Sequence, residues 1–116
     1  MVSCMTNREM REPTFLILTA LARARHHGYS LLTETKKLSG GRVSLQPGSL
    51  YTSLDRLKEE GMVQDAGEEV VDGRLRRYYT LTDEGARALE SEIGRLEANA
   101  DAARLGLRAR TEGRLA

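Results

Sequence analysis

The sequence predicts a mainly α, α+β fold: three short helices, then a two-stranded hairpin, then one long C-terminal helix. Three observations carry that prediction. Leu50, Leu54 and Leu57 recur at helical spacing, Asp72-Gly73 separates two strand-like segments, and an apolar seam runs from Ala86 to Leu107. A chain of 116 residues is one domain's worth of sequence, and 40% hydrophobic residues are enough for one compact core. With Phe15 and four tyrosines as the only aromatics and no Trp, the packing falls to Leu, Val, Ile and Ala.

Residues 1–11 show no apolar periodicity and read as a flexible N-terminal arm. Pro13 suits the first turn of a helix, with Glu12 beside the positive end of its dipole. Phe15, Leu16, Ile17, Leu18, Leu21 and Ala22 are apolar on nearly all sides, the pattern of a helix buried on two faces. His26, His27 and Gly28 end it. A second helix spans roughly Tyr29 to Leu38, with Leu31, Leu32 and Leu38 inward and Gly40-Gly41 as its stop. A short extended piece, Arg42 to Leu45, leads to Pro47, which opens the third helix, and Gly61 is its left-handed terminator.

Met62 to Val71 and Leu75 to Leu81 read as the strands of the hairpin. In the second strand Leu75, Arg77, Tyr79 and Leu81 share one face, and Arg74, Arg76, Tyr78 and Thr80 occupy the other. Thr82 makes an N-cap, with Asp83 and Glu84 in the first turn where anions are favoured. Ala86, Leu89, Ile93, Leu96, Ala100, Ala103 and Leu107 then alternate in steps of three and four, the heptad seam of a coiled coil. So small a body offers that seam no partner within its own chain, so a second copy is expected to cover it. The body is assigned to residues 12–81, the C-terminal helix to 82–110 and a frayed tail to 111–116.

Charge narrows the function classes. Lys plus Arg number 18 against 17 Asp plus Glu, for a formal net charge of +1. Up to Leu81 there are twelve cations to ten anions, and beyond it six to seven. Neither part is basic in bulk, so affinity for a polyanion must come from a few placed cations. The single cysteine, Cys4, excludes an intramolecular disulfide framework and a Cys-pair zinc site. The longest apolar run, Phe15 to Ala22, is far short of the ~20 residues of a membrane span, and no signal-peptide-like region opens the chain. The expected setting is cytoplasmic, without membrane contact. His26 and His27 are joined by no Asp, Glu or Cys at helical spacing, so no metal is expected. Neither a Ser-His-acid set nor a glycine-rich phosphate loop recurs, so neither catalysis nor a cofactor is expected.

Helix, helix, helix, hairpin is the layout of a winged helix-turn-helix, in which the second of the paired helices enters the DNA major groove. The chain resembles the PadR family of bacterial transcriptional regulators. The residues that carry the resemblance are His27-Gly28-Tyr29, Pro47-Gly48-Ser49-Leu50-Tyr51, Leu54-x-x-Leu57-x-x-x-Gly61 and Arg77-Tyr78-Tyr79-x-Leu81-Thr82-x-x-Gly85. They stand in the family's order and spacing, within roughly residues 12 to 90. The resemblance implies a repressor, a homodimer joined through the C-terminal helix with help from the first, and response to a small molecule. The brevity of the tail resembles the short subfamily, with a single C-terminal dimerisation helix.

Candidate DNA-binding residues follow. Gln46, Gly48 and Ser49 surround the start of the third helix, where free N–H groups and the helix dipole favour a phosphate. Tyr51, Thr52 and Arg56 lie off the Leu50/Leu54/Leu57 face; Arg56 could read guanine, or be held by the acids Asp55, Glu59 and Glu60. Arg74, Arg76 and Arg77 cluster on the wing, useful against phosphates, with a solvated turn as the alternative and Glu68, Glu69 and Asp72 weakening the case. Lys36 and Lys37 could meet the DNA backbone or simply suit the helix dipole, and Tyr29 could reach a phosphate or simply pack. The dimer interface is assigned to Phe15, Leu18, Leu89, Ile93, Leu96, Ala100, Ala103 and Leu107. A small-molecule effector would sit at that seam, where Ala100 and Ala103 favour close helix approach over an open pocket. The rival reading is a winged-helix protein-interaction module without DNA binding, supported by the neutral charge.

Overall fold

Alternation of helix-forming and strand-forming patterns builds seven elements in the computed structural model, which describes residues 9–115. They are α1 (Glu12–Arg23), β1 (His26–His27), α2 (Gly28–Leu38), α3 (Pro47–Glu59), β2 (Val63–Val71), β3 (Arg74–Leu81) and α4 (Asp83–Leu115). The expectations placed on residues 1–8, Cys4 among them, and on residue 116 lie outside the described residues.

Helix α1 is the centre of the core. Ile17, Leu18 and Ala20 are fully buried, and they meet Leu31 of α2 and Leu50, Leu54 and Leu57 of α3. Each of those leucines falls where a 3.6-residue period puts it. Thr35 is the polar exception at full burial, and its hydroxyl donates to the Leu31 carbonyl at 2.8 Å. Met10 packs against the same core, so the segment expected to be loose is docked by residue 10. Burial of its side chain fixes it, although one methionine makes no periodic pattern. Among the described residues no helix is long and apolar enough to cross a membrane.

The sheet departs from expectation. It has three strands in the order β1-β3-β2, because His26 and His27 do not end the first helix but pair antiparallel with Tyr79 and Tyr78. Helix α1 stops earlier, at Arg23. A two-residue strand is too short to show alternation, which is why the sequence hides it. The hairpin turn is as expected: Asp72 (φ 51°) and Gly73 (φ 74°) both lie in the left-handed region that a tight two-residue turn requires. Between Asp65 and Glu68 the register shifts by one residue, a β-bulge that Gly67 (φ 103°) accommodates.

Thr82 joins the end of α3 to the start of α4. Its hydroxyl donates to the Gly61 carbonyl at 2.6 Å and accepts the Gly85 N–H at 2.9 Å. Helix α4 then runs for 33 residues, through the segment expected to fray, to Leu115. At about 1.5 Å per residue it is about 50 Å long, and it accounts for the elongated shape of 69 × 36 × 22 Å.

Candidate nucleic-acid interface

Helix α3 presents three faces around the buried leucines. Gln46 precedes it in extended conformation without a side-chain cap, and Pro47 has no N–H, so the Gly48 and Ser49 donors face outward unpaired by a cap. Gly48, Thr52, Asp55 and Glu59 are exposed on the side opposite Leu50, Leu54 and Leu57. Ser49, Ser53 and Arg56 flank them on one side, lining an open cleft of about 580 Å³ shared with Pro13, Thr14 and Ala88. On the other side Tyr51, 47% exposed, lays its ring end over Gly28. A Cβ at Gly28 would come within 2.2 Å of the Tyr51 Oη, so a larger residue there must displace the Tyr51 ring.

Arg56 is held inward. Its guanidinium donates to Thr14 Oγ1 at 3.0 Å and lies 3.7 Å from the Glu60 carboxylate. Of the two readings open for Arg56, the held one is what the subunit adopts on its own, with the side chain still 45% exposed. Tyr29 is 69% exposed at the start of α2. Lys36 and Lys37 are exposed at the other end of the same helix, about 10 Å further along its axis.

The wing arginines do not form one cluster. Arg74 and Arg76 stand on one face of β3 and Arg77 on the other, as strand alternation requires. Arg77 Nε lies 3.5 Å from Glu68 across the hairpin. Arg76 is in register with Glu69, whose carboxylate accepts the Tyr78 hydroxyl at 2.8 Å. Arg74 sits opposite Val71, next to the turn. The hairpin therefore presents its cations beside acids, and exposed pairs of this kind exchange readily for phosphate contacts.

Sequence reasoning missed Arg25. It stands between α1 and β1, donates to the Ala66 carbonyl at 3.0 Å, and places its guanidinium 4.2 Å above the Tyr78 ring. One side chain thus ties the helical body to the bulge of the wing. Gly67 in mid-strand was the readable sign of a bulge; nothing in the sequence pointed to its brace.

His27 links wing and helix. Its Nδ1 accepts the Ser30 N–H at 3.3 Å while Ser30 Oγ accepts the His27 N–H at 3.1 Å, a reciprocal cap for α2. Its ring meets Tyr78 edge-on at 5.3 Å. Burial, then Arg76 and His26, hold the imidazole below its ordinary pKa of 6.5. The folded state therefore binds its proton less tightly than the unfolded chain does. The stabilisation is complete above the unfolded pKa and is lost as pH falls through the folded one. Thermal melts should show Tm flat above about pH 7 and declining by a few degrees towards pH 5. His27→Asn, which keeps a cap acceptor but cannot titrate, should flatten that decline; an unchanged slope would assign it to other groups.

The seam divides in two. Leu18, at 0% exposure, and Leu89, at 8%, belong to the chain's own core and are corrected as interface residues. The heptad step cannot distinguish packing on the same chain from packing on another. Glu92 is buried beside Leu89, with Arg95 Nε donating to it at 2.9 Å. The Met10 N–H also bonds to its carboxylate. Arg95 and Met10 together hold that carboxyl below its usual range. Phe15 is half-buried against the core and Ala100 is half-buried, whereas Ile93 and Leu96 are 41% exposed and Leu107 64%. Ala103 is exposed on the same stripe.

Comparison with known proteins supplies independent findings. The sequence profile of the transcriptional regulator PadR-like family matches residues 17–91. Over 86 residues the chain is 33% identical to transcriptional regulator YqjI of Escherichia coli (strain K12), covering 74% of this chain and 40% of that one. It is 42% identical over 71 residues to transcriptional regulator Rv3488 of Mycobacterium tuberculosis, covering 61% of this chain and 63% of the other. The chain thus spans less than two thirds of the length of either relative. Among solved structures, Bacillus subtilis PadR in complex with operator DNA superposes with a TM-score of 0.61 at 25% identity, covering 69% of this chain and 45% of that one.

Proposed function

The chain belongs to the PadR-like family of transcriptional regulators, which are not enzymes, and from that premise we propose that it is a cytoplasmic homodimeric repressor of an inverted-repeat operator. The observation that carries the reading is the start of α3, where the Gly48 and Ser49 N–H groups point outward without a side-chain cap. Such a helix end favours a phosphate. The likeness to a PadR bound to operator DNA supports the same placement. Each subunit sets α3 into the major groove, Pro47 to Arg56 leading, with Arg74, Arg76 and Arg77 of the wing on the adjacent backbone. Two recognition helices of one dimer stand about 34 Å apart, one turn of DNA.

Release follows by population shift: an effector at the dimer seam must prefer a helix spacing that misfits the operator. Ala100 and Ala103 favour close helix approach at that seam over space for a ligand beside Phe15 and Leu96.

The acids paired with the wing favour a second reading, a winged-helix module that binds protein and not DNA. One double variant separates the two. Arg74→Ala with Arg76→Ala should weaken operator binding and lower the slope of log K against log salt by about 0.9 for each phosphate no longer neutralised. Unchanged affinity and slope would favour the protein-binding module.

A further inference from the structure

Gly48, Thr52, Asp55 and Glu59 form the outward stripe of α3, at steps of four, three and four. No cation stands on that stripe. The neighbouring cations are engaged elsewhere: Arg56 with Thr14 and Glu60, and Lys58 with Asp65 at 3.1 Å. The guanidinium that most often reads guanine therefore lies off this outward stripe and not on it. Asp55 is exposed, and among the described residues it makes no hydrogen bond or ion pair.

We infer that Asp55 is a specificity-determining residue whose carboxylate accepts a hydrogen bond from the N4 amino group of a cytosine in the major groove. The inference rests on the DNA-binding reading above and names what one position of the operator must be. A carboxylate brought into the groove of a polyanion is repelled unless a donor meets it. Only two base groups donate there, cytosine N4 and adenine N6. Adenine sets the N7 lone pair beside its amino group, which repels a second acceptor, whereas cytosine sets a C–H there. Asp55 is the ninth of the 13 residues of α3 and Glu59 the last, so Asp55 stands one turn nearer the helix start that enters the groove.

Selection of binding sites from a random duplex pool tests this with the full chain, comparing the unmodified protein with Asp55→Ala and Asp55→Asn. The unmodified protein should enrich an inverted repeat with cytosine at one symmetric pair of positions. Asp55→Ala should lose the preference at that pair alone and bind the original consensus about tenfold more weakly. Asp55→Asn should shift it towards adenine, whose N6 and N7 match a carboxamide. Thermal melts should be unchanged, since the native side chain has no partner to lose. An identical consensus from Asp55→Ala overturns the inference, as does tighter binding of every sequence, which would make Asp55 a mere repulsive charge. If the unmodified protein enriches no consensus, the DNA-binding reading itself fails.

Discussion

Gly85→Ala should lower stability by about 2–3 kcal/mol, a fall in Tm of about 10 °C. A Cβ built on Gly85 lies 2.2 Å from the Met62 carbonyl oxygen, 2.8 Å from Leu81 Cδ1 and 3.0 Å from the Met62 carbonyl carbon. Two of those atoms are backbone and cannot rotate away. The Met62 carbonyl also accepts the Thr82 N–H at 3.1 Å, so moving it disturbs the connection on which α4 starts. The first turn of α4 must lift off the sheet or the sheet must yield. Gly94 is the control on the same helix, with nothing within 4 Å of its added Cβ and on the side away from the apolar seam. Gly94→Ala should be neutral or stabilising by up to ~1 kcal/mol through helix propensity. Equal melts for both alanine variants would mean that the close approach at Gly85 is not structurally demanding.

The second large effect concerns assembly. Ile93→Lys with Leu96→Lys should convert a dimer to a monomer by light scattering and weaken operator binding at least about 100-fold. Both side chains are 41% exposed in the single subunit, so the lysines leave the core intact. What disappears is the second half-site, whose contribution comes from effective concentration rather than from any interaction in the first. Circular dichroism should still report a folded body. Retention of the dimer would place the interface elsewhere on the molecule.

The parts of the fold that were legible in the sequence are those set by local chemistry. Leu50, Leu54 and Leu57 face inward because helical period and burial agree, and Gly61 (φ 78°) ends α3 as expected. Asp72-Gly73 turned the hairpin because both positions need positive φ. What stayed hidden depends on tertiary context. His26 and His27 become a strand only because β3 offers an edge to pair with. Leu89 satisfies the same spacing rule as exposed Ile93, and only the docking of α4 on α1 separates them. Arg56 carried two readings, and the contact that holds it in the free subunit comes from Thr14, 42 residues away. Arg25 braces the wing through a carbonyl 41 residues distant, beyond the reach of any local pattern.

Binding to DNA tests the central claim most directly. Fluorescence anisotropy should be measured with the DNA upstream of the chain's own coding region, at two salt concentrations and with excess random DNA. The account predicts tight binding that weakens with salt and survives the competitor. Weak binding removed equally well by random DNA would contradict it.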